Sequence, residues 1–90
     1  MSKIIITVVG KDAVGITAKV CTFLAEHNVN ILDISQTIVQ GFFNMMMIVD
    51  TSDMELSFEE FSSKLENCGE EINVKIKSQR EDIFTSMHRI

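Results

Sequence analysis

Two segments of this chain are apolar on both alternating faces, and that pattern constrains the fold more than any other feature. Lys3 to Val9 reads KIIITVV, and Phe42 to Val49 carries Phe43, Met45, Met47 and Val49 on one face with Met46 and Ile48 on the other, interrupted only by Asn44. A strand with two oily faces belongs in the middle of a sheet covered on both sides. Ninety residues leave room for one core. A unit of this size removes only about 60–65% of its unfolded surface from water, so a partner that covers more is expected. The whole chain, residues 1–90, is therefore read as a single domain.

The remaining segments fall between and after these two strands. Gly10 is read as the end of the first strand, and Ile16, Val20, Phe23 and Leu24 form one helical stripe between Ala13 and His27. Asp12 is the expected N-cap and Asn28 the left-handed residue that closes the helix. Asn30 to Gln40 mixes β-branched and polar residues as an edge strand does, and Gln40-Gly41 turns it into the second two-faced strand. Ser57-Phe58-Glu59-Glu60 matches a capping box, with Leu56 and Phe61 at the staple positions, and Gly69 is the expected stop. Ile72, Val74 and Ile76 then alternate with Asn73, Lys75 and Lys77. A second capping box at Ser78–Glu81 predicts a short last helix bearing Ile83, Phe84, Met87 and Ile90. The order is βαββαβ plus a terminal helix. Right-handed crossovers make this a ferredoxin-like α+β sandwich, with a four-stranded antiparallel sheet, two helices on one face, and the first and third strands central.

Charge narrows the function. The formal net charge is −5, and the acid is concentrated: residues 41–71 sum to −7, residues 1–40 to zero and residues 72–90 to +2. Such a chain has no general attraction for a phosphate backbone, so no nucleic acid is expected. An RNA-binding domain of this topology would also need base-stacking aromatics on its strands. The longest fully apolar run, Met45 to Val49, is far shorter than the roughly 20 residues that span a bilayer, so no membrane partner is expected. Cys21 and Cys68 have no close pairing or histidine cluster, which fits buried small side chains in a reducing, cytoplasmic setting. His27 and His88 stand apart, His27 as a charge at a helix C-terminus and His88 at the surface. No metal, cofactor or catalytic constellation is read from these spacings, so the chain is not expected to be an enzyme. An acylphosphatase-like enzyme would need an arginine in the first loop, which offers only Lys11.

The informative stretch is Gly10-Lys11-Asp12-Ala13-Val14-Gly15-Ile16. Gly15 removes a side chain where the N–H groups of a first helical turn are unpaired, so a carboxylate can approach. Asp12 can hold an ammonium beside it, and Asn30 offers an amide that donates and accepts. The trio suits a free α-amino acid. Spacing alone leaves the alternatives open: Gly15 as a packing glycine, Asp12 as a cap, Asn30 as a turn residue.

The run from Ile6 to Val20 (ITVVGKDAVGITAKV), followed by Asn28 to Thr37 (NVNILDISQT), resembles the ACT-domain family, in particular its small stand-alone members. The resemblance extends through Asn73 to Ile76 and the final Met87 to Ile90. It implies the same βαββαβ fold, a homodimer, and a non-catalytic regulatory role in which an amino acid binds between subunits and acts on an enzyme or regulator. Position by position it assigns ligand binding to Lys11, Asp12, Val14, Gly15 and Ile16 in the first loop, and to Asn30 and Ile31 in the second strand. Many relatives carry proline where this chain has Val14. The rival expectation is an interaction module with no small ligand, using the exposed sheet and the acidic helix of residues 57–68, with Met45 to Met47 as adaptable contacts.

Overall fold

The computed structural model describes residues 3–81. The elements are β1 (Lys3–Lys11), α1 (Ile16–Glu26), β2 (Asn30–Val39), β3 (Phe42–Asp50), α2 (Phe58–Glu71) and β4 (Val74–Arg80). The strands form one sheet in the order β2-β3-β1-β4, every neighbouring pair antiparallel. The two-faced strands are the central ones, as expected. The predicted terminal helix with Ile83, Phe84, Met87 and Ile90 lies outside the described residues.

The core lies between the sheet and the helical layer. Ile4, Ile6 and Val8 of β1 and Phe43, Met45, Met47 and Val49 of β3 face the buried stripe of α1 (Ile16, Val20, Leu24) and that of α2 (Phe61, Leu65, Cys68). Thr17 of α1 donates through Oγ1 to Gln36 Oε1 at 3.2 Å, which sets the start of α1 over the edge strand β2. Gln40 and Gly41 both take positive φ, 49° and 82°, the geometry a two-residue hairpin between twisted strands requires.

Four local expectations are corrected. Gly10 does not end the first strand; it lies inside β1, where a Cβ would come 2.8 Å from Val74 Cγ1 and 3.0 Å from Val74 Cα, so the missing side chain lets β4 approach. The helix expected from Ala13 starts at Ile16, and its N-cap is Gly15, not Asp12. Gly69 does not stop α2; the helix runs to Glu71, and Asn73, at φ 58°, is the left-handed residue after it. Gly69 instead faces the Val74 carbonyl, 2.8 Å from where its Cβ would be. Finally, Ser78 is not a helix cap: β4 runs through it to Arg80, and Glu81, the last described residue, is the first helical one after the strand. Ser78 pairs with Ile6 inside β4 and donates its hydroxyl to Ser62 Oγ at 2.9 Å.

Candidate functional site

The β1–α1 loop is fastened at one end and open at the other. Lys11 is the last residue of β1, and the Asp12 N–H donates to the Gly41 carbonyl at 2.7 Å, tying the loop to the β2–β3 hairpin. Val14 is fully exposed. Gly15 takes φ 89° and ψ 3°, a conformation costly for any residue with a Cβ, yet a Cβ there would meet nothing within 4 Å. Gly15 is therefore a conformational glycine, not a packing one.

At the helix opening, the first intrahelical bond runs from Lys19 N–H to the Gly15 carbonyl at 2.9 Å. The N–H groups of Ile16, Thr17 and Ala18 consequently have no intrahelical acceptor. No side chain caps them and no acidic residue sits in the first turn. Ile16 buries its side chain in the core, so it can offer only its backbone here. Among the described residues the Asp12 carboxylate is in no hydrogen bond or ion pair. What remains is a positive helix end that can accept an anion, with a carboxylate the helix does not use three residues before its cap.

Asn30 and Ile31 lie elsewhere. Asn30 pairs with Asp50, which pairs with Lys3, whereas the loop leaves the sheet at Lys11, which pairs with Phe42 and through it Val39. Eight residues of strand separate the two ends, about 27 Å at 3.4 Å per residue. One protomer thus keeps Asp12, Val14, Gly15 and Ile16 at the hairpin end, sets Lys11 there on the sheet face away from the helices, and leaves Asn30 at the far end. There Asn30 is exposed, Ile31 packs against the core, and Asp50 accepts from Ser52 Oγ at 2.6 Å and Ser52 N–H at 3.0 Å. Those two bonds, the hydroxyl's first, hold the Asp50 carboxyl below its ordinary range.

The residues the structure does place beside the α1 opening include Gln36, bonded to Thr17, and its strand neighbours Ile34 and Ile38, which point to the same side of β2 and are 42% and 56% exposed. No motif distinguishes them in the sequence. Their period of two on β2, counted after the register shift between Ile31 and Asp33, is the signal that would have found them.

A second hollow of about 340 Å³ lies between the helices, lined by Lys19, Phe23, His27, Lys64, Cys68 and Glu71 among others. Lys19 and Glu71 pair across it at 3.6 Å, both well exposed, a contact of small energetic weight. Burial pushes the Cys68 thiol up, so it stays neutral and weakly nucleophilic. No group of three His, Cys, Asp or Glu among the described residues is placed to hold a metal ion, and no helix of the described chain is long and apolar enough to cross a membrane.

A profile of the ACT domain matches residues 2–79. A UPF0237 protein of Bifidobacterium longum is 60% identical over 90 residues, the full length of both chains. Among solved structures, an ACT domain protein from Streptococcus pneumoniae superposes with a TM-score of 0.83 at 46% identity, over 92% of this chain and 93% of that one. A formyltetrahydrofolate deformylase from Pseudomonas syringae carries the same fold in part of its length, with a TM-score of 0.82 at 26% identity over 89% of this chain and 28% of the enzyme. In related proteins the ACT domain is a regulatory, small-molecule-binding module. By profile, sequence and superposition, this chain belongs to the ACT-domain family.

Proposed function

We propose that this protein is a cytoplasmic, non-catalytic amino acid sensor that works as a homodimer, its single domain occupying residues 1–90. The observation that carries the reading is the uncapped start of α1. Its N–H groups suit a carboxylate, the open space at Gly15 admits one, and the Asp12 carboxylate stands by for the ammonium. Lys11, Val14 and Ile16 complete the loop around them.

The position of Asn30 supports a dimeric site. The edge strand β2 has ten residues, no proline and no lysine, and Asp33 is its single charge, so little discourages pairing with another strand. Antiparallel pairing of two β2 edges about a two-fold axis near Ile34 and Ser35 lays the start of one β2 beside the end of the other. Asn30 and Ile31 of a second copy then come to the hairpin end, where the loop of the first copy lies. Each site would draw its loop from one protomer and its amide from the other, so ligand and dimer stabilise each other by linkage.

Isothermal calorimetry of the full chain against the twenty amino acids tests this, with sedimentation to read the oligomeric state. One amino acid or a small chemical group of them is expected to bind and raise Tm, and Asn30→Ala is expected to weaken that binding about tenfold or more. No heat with any amino acid and an unchanged Tm would sink the proposal.

A further inference from the structure

The sheet has a second face, and it is not chemically neutral. Strand register puts Val9, Phe42, Met46 and Val39 on the side away from the helices, at the hairpin end, where they are 42–58% exposed. Between them Thr7, Ser35, Thr37 and Asn44 surround a shallow hollow of about 230 Å³. On the same face Lys75 pairs with Val9, Lys77 with Thr7 and Lys11 with Phe42, and none of the three lysines has an ion-pair partner among the described residues. Among the described residues no strand carboxylate shares that half, and Glu66 and Glu70 of α2 meet Lys75 and Lys77 only at the β4 edge. Asp33 and Asp50 lie toward the opposite end of the face, level with Ile48 and Lys3.

The chain as a whole carries −5, with five glutamates on α2 alone, so this patch is an inverted charge on an acidic protein. We propose that the open face docks an acidic, apolar segment of a partner protein, laid across β1 and β3 with its apolar side chains on Val9, Phe42 and Met46 and its carboxylates on Lys11, Lys75 and Lys77. The acidic α2, on the other side of the sheet, repels such a segment, so the charge pattern also favours this face. A second copy packed face to face would bring like-charged lysine rims together. Single-stranded RNA would find one stacking ring, Phe42, on the described part of this face. The α1 opening lies on the other side of the sheet, so this face shares only Lys11 with the amino acid site, and the Lys75, Lys77 and Phe42 variants read the docking surface apart from sensing.

The test uses the full chain and a fluorescent peptide of about ten residues alternating leucine and glutamate, long enough to cross the face. Its lysine counterpart is the control, with binding read by anisotropy and by amide shifts. Expected are salt-sensitive binding of the acidic peptide alone, shifts confined to residues 7–11, 42–46 and 75–77, and about a tenfold loss in the Lys75→Glu, Lys77→Glu double variant. Phe42→Asp should remove binding. Equal binding of both peptides, or shifts elsewhere, overturns the proposal. So does tighter binding of single-stranded RNA or anionic vesicles, self-association that Phe42→Asp abolishes, or peptide binding that emerges only after residues 82–90 are deleted.

Discussion

The helices α1 and α2 begin in opposite ways. At α2 every device for closing a helix is present: Ser57 Oγ accepts from Glu60 N–H at 3.2 Å, Glu60 Oε1 accepts from Ser57 N–H at 3.3 Å, and Glu59 and Glu60 place negative charge on the first turn. Leu56 packs on the core on one side of the cap, and Phe61 is fully buried on the other. At α1 none of these is present. Its cap is a left-handed glycine, its first turn has no acid, and the residue before the cap is fully exposed. Both helices bury a good stripe, so the difference is not one of overall design quality. One end is finished by the chain itself, and the other leaves its backbone donors for something else.

The largest break in that comparison is at Phe61. Phe61→Ala removes a fully buried ring behind the cap of α2 and should cost about 3–5 kcal/mol, lowering Tm by more than about 12 °C in thermal unfolding. Val14→Ala, in the corresponding approach to α1, should stay within about 0.5 kcal/mol because the side chain touches nothing. Comparable losses in the two variants would mean that the α1 approach is packed after all.

Two substitutions of about equal size then separate the causes. Ser57→Ala deletes the side-chain acceptor of the capping box and should cost about 1 kcal/mol, read as a lower denaturant midpoint at unchanged m. Gly15→Ala should also cost about 1 kcal/mol, but from the backbone alone, since its Cβ meets open space at φ 89°. A neutral Gly15→Ala would imply that the loop relaxes out of the left-handed conformation, and the opening above the helix would then lose its fixed shape.

Much of this architecture is legible in the sequence because it rests on patterns spread over many residues. The two-faced strands had to be central, and the stripes of Ile16, Val20 and Leu24 and of Phe61, Leu65 and Cys68 had to face them. Signals carried by one or a few residues fared worse where tertiary packing gives the residue another use. Gly10 and Gly69 look like stops, yet both are places where Val74 comes too close for a side chain. Ser78–Glu81 has the letters of a capping box, but the strand ladder with Ile4 and Ile6 claims Ser78 and Arg80 first. The loop residues could be gathered from their adjacency. The separation of Asn30 from them follows from topology: an 11-residue helix carries the chain back about 16 Å toward the start of β1 before β2 begins.

The sharpest use of the comparison is to move one piece of α2 onto α1. Counting from each N-cap, Ala18 stands in α1 where Glu60 stands in α2, three residues in, and Ala18 is exposed. Ala18→Glu gives α1 the first-turn carboxylate it lacks, and its interaction with the helix dipole should raise stability by about 0.5 kcal/mol, or Tm by about 2–4 °C at low salt. The same carboxylate would occupy the space and the charge that a bound anion needs. If the opening of α1 is where a ligand's carboxylate sits, the variant should be slightly more stable and bind amino acids at least about tenfold more weakly, a trade of function for stability. Stability up with ligand affinity unchanged in calorimetry would place the anion somewhere other than this turn, and the asymmetry between the helix starts would then be a matter of folding alone.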